Sequence, residues 1–179
     1  MKKKLKSKKF NFIPVNKPLI TKEDINYLNK SISKGWISSE GPEVKKFENN
    51  FSNFIGNKYS IAVSSGTAAL EIAIKSLKLK KGDEVIIPNF TIISNAMAVL
   101  KENLNIKLVD CSIREWNMDV SEIEKKITKK TKAIIATHIY NFPLRVDILK
   151  KICRKNKIIL IEDAAEVMGQ KLNMLPFQK

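Results

Sequence analysis

The stretch Ile61-Ala-Val-Ser-Ser-Gly-Thr-Ala-Ala-Leu70 joins a short β-rich run to a helix through two serines and a glycine. Further β-rich runs follow it, separated by segments with apolar residues at helical spacing. The five predicted strands are Ser60–Ser64, Glu84–Pro88, Ile106–Asp110, Ala133–Thr137 and Ile158–Glu162. Repeated strand–helix units form parallel sheets, because each crossover helix returns the chain to the end of the sheet at which the previous strand began. We therefore expect an α/β fold, with a mainly parallel sheet that carries helices on both faces.

Polar caps predict several helix starts. Thr21-Lys-Glu-Asp24 has the pattern of a capping box, and the helix that it opens is expected to end at Gly35. A second helix leads to Gly56, and Asp119 is placed to cap a helix after the third strand.

Basic side chains strongly outnumber acidic ones, with 33 Lys and Arg against 18 Asp and Glu and a formal net charge of +15. This excess keeps nucleic-acid binding open as an alternative. Six of the lysines fall in residues 1–9, so we expect residues 1–12 to form a flexible basic arm before a domain over residues 13–179. Few of the other basic residues are Arg, which suits phosphate and base recognition better than Lys, so nucleic-acid binding is the weaker alternative.

Cysteine spacing and hydropathy exclude other classes. Cys111 and Cys153 lie 42 positions apart in a chain with one His, which fits no zinc motif. We interpret them as two small buried thiols in a reducing compartment. No apolar run is long enough to cross a bilayer, and no secretory signal follows the basic start, so a cytoplasmic protein is expected.

Two strand ends carry side chains suited to ligand binding. The helix that begins at Gly66 and Thr67 offers free N–H groups and a positive dipole end for a phosphate, although a plain helix cap explains the same residues. At the last strand, Glu162 and Asp163 follow four apolar residues of a predicted buried strand. An Asp there can bind a metal, a ribose hydroxyl or a protonated ring nitrogen, or can cap a following helix.

Phe90 and His138 can each be interpreted as a ligand contact or as a structural residue. Phe90, in the segment Pro88–Asn95, can face a planar ligand or simply pack. His138 follows the fourth predicted strand and has no second His or Cys beside it, which favours a hydrogen-bonded structural role over that of a base or ligand.

Taken in order, six motifs resemble the pyridoxal-phosphate-dependent nucleotide-sugar aminotransferases of the DegT/StrS type, and the perosamine-synthase branch above all. The resemblance runs from Ile13 to Gln170 and implies the large domain of the fold-type I transferases. The six motifs are Gly35–Pro42, Ser65–Leu70, Gly82–Pro88, Trp116–Asp119, His138–Tyr140 and Glu162–Ala165.

The resemblance assigns roles around pyridoxal 5'-phosphate. It implies that Gly66 and Thr67 bind the cofactor phosphate and that Asp163 pairs with the pyridine nitrogen, which keeps the ring an electron sink. Glu166 matches a position near the ring hydroxyl. Ile92 matches the position that lies against the ring, where the family commonly has an aromatic residue.

The resemblance also implies substrates and partners. Trp36 and Ser39 would bind a nucleotide-linked keto-sugar, which receives an amino group from an amino-acid donor, and the product would enter surface polysaccharide. A homodimer is implied, and no metal. Asn141 departs from the family, which commonly has Gly there.

The end of the sequence departs further from the family. The reaction needs a Lys that forms a Schiff base with the cofactor, and in the family this Lys lies well downstream of the Asp-Ala-Ala motif. Lys171 and Lys179 match that segment poorly. We therefore expect the fold to be incomplete at the C-terminus, without the small C-terminal domain, and the chain alone to be inactive. The alternative is a non-catalytic remnant that keeps a phosphate-binding fold.

Overall fold

The computed structural model describes residues 12–14 and 17–170. Almost all of the predicted basic arm, as well as Lys171 and Lys179, therefore lies outside the described residues. The chain divides into two compact units, one up to Ser60 and one from Ile61 onward. The predicted boundary of the domain, residues 13–179, stays a prediction.

The first unit contains two helices, α1 (Lys22–Ser33) and α2 (Pro42–Ile55). The predicted capping box opens α1: Thr21 N–H donates to Asp24 Oδ2 at 2.7 Å, and Asp24 N–H donates to Thr21 Oγ1 at 3.3 Å. Gly56 ends α2 with a φ of +70°, a left-handed conformation that glycine adopts at little cost. The helices predicted here are confirmed.

The second unit is built on a parallel sheet of four strands. They are β1 (Glu84–Pro88), β2 (Asn105–Val109), β3 (Thr131–Thr137) and β4 (Ile159–Asp163), in the order β2-β1-β3-β4. All three pairings are parallel. Four of the five predicted strands are thus confirmed, with ends shifted by up to two residues. The predicted strand Ser60–Ser64 is wrong: within the described chain, these residues join no ladder, because an apolar run does not by itself supply a neighbour to pair with.

Helices cover both faces of the sheet, as the sequence predicts. They are α3 (Gly66–Ser76), α4 (Ile93–Lys101), α5 (Val120–Lys126) and α6 (Val146–Asn156). Alternate strand residues point to opposite faces, so Val85 and Ile87 pack with α3 and α4, whereas Ile86 packs with α5 and α6.

The strand order contains a reversal between β1 and β3. From β1 the chain passes through α4 to β2 on one side, and then through α5 back across to β3 on the other side. The crevice at the carboxyl ends of two such strands is where open α/β sheets bind ligands. The fold therefore points to the carboxyl ends of β1 and β3.

The last strand differs from its prediction. β4 lies at an edge of the described sheet and pairs only with β3. Ile159 is 44% exposed, so the expectation of a buried strand is wrong, because an edge strand has one neighbour instead of two.

The two cysteines lie in different environments, and both are free. Cys153 is buried between α6 and the sheet, and burial raises the pKa of its thiol to about 11. Cys111 is partly exposed, so the expectation of two buried thiols holds only for Cys153. The described residues contain no group of three His, Cys, Asp or Glu side chains placed to hold a metal ion. No helix within the described ranges has both the length and the apolarity that a membrane crossing requires.

Candidate functional site

Polar side chains gather where β1, β3 and β4 end. Thr91 and Asn95 follow β1, Thr137 ends β3, and Asp163 ends β4 beside Thr137 in the ladder. Asn95 Nδ2 lies 2.6 Å from Thr91 Oγ1, 3.0 Å from Thr137 Oγ1 and 3.4 Å from Asp163 Oδ2. This polar cluster sits at the strand reversal, where the fold predicts a ligand.

Asp163 points into this cluster. Besides the contact of Oδ2 with Asn95, its Oδ1 accepts a hydrogen bond of 3.4 Å from the N–H of Ala165. A turn and no helix follows within the described residues, so Asp163 does not cap a helix there. Each carboxylate oxygen has about two acceptor positions, and the side chain is only partly buried. Asp163 therefore keeps acceptor capacity for a ligand.

Glu162, next to it in β4, points to the other face of the sheet because side chains alternate along a strand. Its Oε2 lies 3.9 Å from His138 Nε2, and its Oε1 lies 3.4 Å from Lys150 Nζ on α6. The imidazole of His138 and the ammonium of Lys150 hold the pKa of Glu162 below its usual value. Of the two acids singled out in the sequence, only Asp163 belongs to the cluster.

The start of α3 forms the second part of the site. Ser65 caps the helix, and its Oγ accepts the N–H of Ala68 at 3.2 Å. The N–H groups of Gly66 and Thr67 have no acceptor among the described residues. Thr67 Oγ1 lies 2.8 Å from Ser94 Oγ. Ser94 and Asn95 are neighbours in the first turn of α4, so this turn connects the start of α3 to Asp163.

Space above Gly66 is open. A Cβ built on Gly66 would meet no atom within 4 Å, and its backbone does not require glycine through a positive φ. A helix start with two free N–H groups and no side chain in front of it fits a phosphate. The plain helix cap accounts for Ser65, and the open space lets a phosphate approach the helix start without a clash.

The other predicted cofactor residues lie around this centre. Ile92 caps α4 and is 60% exposed. Glu166 Oε2 accepts the N–H of Tyr140 at 2.5 Å, so one of its oxygens is occupied by the backbone of the turn after β3. That turn is held again by Asn117, whose buried amide donates to Phe142 O at 2.8 Å and accepts from Ile139 N–H at 3.0 Å.

Phe90 and His138 both make contacts within the fold. Phe90 packs edge-to-face against Trp116 and Tyr140, with ring centroids 6.4 and 6.2 Å apart, as the packing alternative expects, and its contact with a planar ligand stays a prediction. His138 is buried, and its Nδ1 accepts the N–H of Leu144 at 2.9 Å. Because Nδ1 accepts this hydrogen bond, the N–H of the ring lies at Nε2, which faces Glu162. The predicted structural role of His138 is confirmed.

The two predicted substrate residues belong to the first unit. The backbone N–H of Trp36 donates to Ser31 O at 3.2 Å. A Cβ on Gly41 would lie 3.2 Å from Trp36 Cβ, so the glycine leaves room for the Trp36 side chain. Ser39 lies in the exposed turn between α1 and α2. Both stay predictions as substrate contacts.

Sequence reasoning assigned no role to Thr91, Ser94, Asn95 or Thr137. In the segment Pro88–Asn95, the sequence singles out only Phe90 and Ile92. An available signal was the pair Thr91 and Asn95, which are four residues apart at the junction of a strand and a helix.

Comparisons with known proteins find similar sequences and structures. Residues 18–174 match the model of the DegT/DnrJ/EryC1/StrS aminotransferase family. GDP-perosamine synthase of Escherichia coli O157:H7 is 38% identical over 160 residues, which are 89% of this chain and 44% of that protein. GDP-perosamine synthase of Vibrio cholerae is 35% identical over 161 residues, 90% of this chain and 44% of that protein.

A solved structure shares the fold. The GDP-4-keto-6-deoxy-D-mannose-3-dehydratase of E. coli, with bound hydrated PLP, superposes with a TM-score of 0.84 at 29% identity, covering 90% of this chain and 43% of that one. The chain thus spans less than half the length of these three proteins.

Proposed function

The chain belongs to the DegT/DnrJ/EryC1/StrS aminotransferase family, and we propose on this premise that it holds pyridoxal 5'-phosphate for amino-group transfer to a nucleotide-linked keto-sugar. The observation that carries the proposal is the connection between the start of α3 and Asp163 through one turn of α4. It offers a phosphate seat and a carboxylate within one cluster. The identity with two GDP-perosamine synthases supports a GDP-linked sugar as substrate.

The start of α3 binds the phosphate in this proposal. The N–H groups of Gly66 and Thr67 donate to the phosphate oxygens. The hydroxyls of Thr67 and Ser94 add donors at the N-termini of α3 and α4. Gly66 leaves room for the phosphate, because it has no side chain and no other atom lies within 4 Å of the position that a Cβ would take.

Asp163 meets the other end of the cofactor. Its carboxylate holds a proton on the pyridine nitrogen, while Asn95 and the N–H of Ala165 fix the direction of its two oxygens. Ile92 covers the ring with an apolar surface, and the second oxygen of Glu166 faces the ring hydroxyl. When bound, the cofactor supplies an electron sink for the electrons released as the amino group is transferred.

The remaining roles complete the proposal. Trp36 and Ser39 contact the nucleotide-linked keto-sugar, and an amino acid donates the amino group. The enzyme works as a homodimer in the cytoplasm and serves surface polysaccharide synthesis.

A second candidate is dehydration of the same class of substrate. The structural likeness to a PLP-bound dehydratase favours it. The cofactor site described above suits both reactions, since both need the phosphate seat and the protonated ring. The higher identity with the two perosamine synthases makes transamination the first candidate.

Titration of the purified chain with pyridoxal phosphate and with pyridoxal tests the phosphate seat. We expect the phosphate ester to bind more tightly by about tenfold or more, since charge-assisted hydrogen bonds are worth about 1.5–3 kcal/mol. Thr67→Val should reduce this preference. Thr128→Val is the matched control, because Thr128 lies at the opposite end of the sheet, where it donates to Glu84. Equal binding of both compounds, or equal effects of both variants, contradicts the proposal.

A second assay decides the reaction. The protein is loaded with pyridoxal phosphate and incubated with L-glutamate and GDP-4-keto-6-deoxymannose, and the products are identified by mass spectrometry. A product with a new amino group supports transamination, whereas a product that has lost a hydroxyl supports dehydration. Cofactor binding without turnover is the outcome expected if the chain alone is inactive, as the poor match of Lys171 and Lys179 to the Schiff-base segment predicts, and it is also expected of a non-catalytic remnant.

A further inference from the structure

Asn95 is a fully buried amide that no sequence motif explains. Its residue is 0% exposed, although it sits in the first turn of α4 among apolar residues such as Ala98 and Val99. Burying an amide costs free energy unless its groups find partners. Asn95 finds them only on one side, where three oxygen atoms surround Nδ2.

The opposite end of the amide has no partner. Asn95 Oδ1 is buried and accepts no hydrogen bond among the described residues. An amide in a purely structural role is expected to satisfy both ends, as Asn117 does. The three oxygens around Nδ2 therefore determine how the side chain of Asn95 is held.

Asp163 determines the orientation of this amide. The two hydroxyls around Nδ2 can donate or accept, so Thr91 and Thr137 accept either orientation. A carboxylate only accepts. Rotating the amide by half a turn would place Oδ1 against Asp163 Oδ2, with two acceptors facing each other. The observed orientation lets Nδ2 donate to the carboxylate.

The hydroxyls hold Asn95 in turn. Thr91 Oγ1 donates to Thr137 Oγ1 at 3.2 Å, and both lie within 3.0 Å of Nδ2. Thr137 is itself buried at the end of β3. The amide is thus fixed by β3 and by the loop after β1 before it meets Asp163 on β4.

We propose that Asn95 is a positioning residue, which aims the Asp163 carboxylate at the ring nitrogen of the cofactor; this inference rests on the proposed function. The donor on Oδ2 and the Ala165 N–H on Oδ1 restrain the carboxylate from both sides. Asn95 itself does not touch the cofactor. Its effect should appear only with ligands that carry a ring nitrogen for Asp163 to meet.

The test compares pyridoxal phosphate with its 1-deaza analogue, in which a carbon replaces the ring nitrogen. Dissociation constants of both compounds are measured for the wild-type chain and for Asn95→Leu, which keeps the branching of the side chain and removes the donor. In the wild type we expect a preference for pyridoxal phosphate of about tenfold. In Asn95→Leu the preference should fall to about twofold or less, mainly through weaker binding of pyridoxal phosphate.

Val99→Ala is the matched control. Val99 is fully buried on the same helix and packs in the apolar core. It should lower the stability of α4 and leave the preference between the two compounds unchanged. If Asn95→Leu weakens the binding of both compounds equally, or behaves like Val99→Ala, the role of Asn95 is only structural and the inference is overturned.

A measurement without cofactor separates this inference from the proposed function. The side-chain amide resonances of Asn95 are recorded in the wild type and in Asp163→Ala. We expect them to shift when the carboxylate is removed, and unchanged resonances overturn the inference. If the wild type binds no pyridoxal phosphate, the proposed function fails, while the amide resonances still decide whether Asn95 holds Asp163.

Discussion

Glu162 and Asp163 are adjacent acids on one strand, yet the two faces of the sheet give them different surroundings. Asp163 meets neutral donors, the amide of Asn95 and the N–H of Ala165. Glu162 meets the imidazole of His138 and the ammonium of Lys150. Neutral donors leave the charge of Asp163 available to a ligand, whereas the Lys150 ammonium offsets the charge of Glu162. The alternation of the strand therefore separates a binding carboxylate from a structural one.

Core substitutions should give the largest effects on the free energy of unfolding. They should also show that both faces of the sheet contribute about equally to it. Leu149 on α6 and Ile74 on α3 are both almost completely buried, one on each face. Leu149→Ala and Ile74→Ala should each lower the free energy of unfolding by about 2–5 kcal/mol, because each leaves a cavity. Denaturant unfolding followed by circular dichroism measures both. If only one substitution is costly, the two faces do not unfold as one unit.

Exchanging each acid for its amide should show that only the acid on the face of Asp163 contributes to cofactor binding. Asp163→Asn should weaken the binding of pyridoxal phosphate by about ten- to a hundredfold, because the ring nitrogen loses a charged partner. Glu162→Gln should change the dissociation constant by less than about twofold, since its side chain points to the other face. Cofactor titration of both variants is the measurement. A larger loss in Glu162→Gln would reverse the assignment of the two acids.

The smallest effect expected is the pH dependence of Glu162. Its pKa in the folded chain lies below the usual 4.5, so its ionised form stabilises the fold above the unfolded pKa. This contribution is lost as the pH falls through the folded pKa. The side chain is 37% exposed, and we expect Glu162→Gln to cost less than about 1 kcal/mol at neutral pH. Unfolding curves at several pH values should show the difference from the wild type vanish in acid. A difference that grows in acid would contradict this sign.

The fold follows from local sequence patterns. The parallel sheet with helices on both faces, α1 with its capping box and the helix capped by Asp119 are all confirmed. These features depend on residues close together in the sequence or on regular periods, which a single sequence displays. The resemblance to the family and to its transferase fold is likewise confirmed by the family match and by solved structures.

The errors concern pairing between distant residues. Ser60–Ser64 has strand composition but no place in the described sheet, and β4 has the composition of a buried strand but lies at an edge. The role of Asn95 depends on Asp163, which lies 68 residues further along the chain. Local patterns do not report which strand becomes a neighbour or which amide meets which carboxylate.

The strand order β2-β1-β3-β4 has a consequence for how the chain folds during synthesis. The ribosome releases β1 first, and β1 lies in the interior of the sheet. Each later strand then finds a neighbour that has already been made: β2 on one edge of β1, β3 on the other, and β4 on β3. The described part of the sheet can therefore grow outward in both directions while translation proceeds, because each of its later strands pairs with a strand that has already been made.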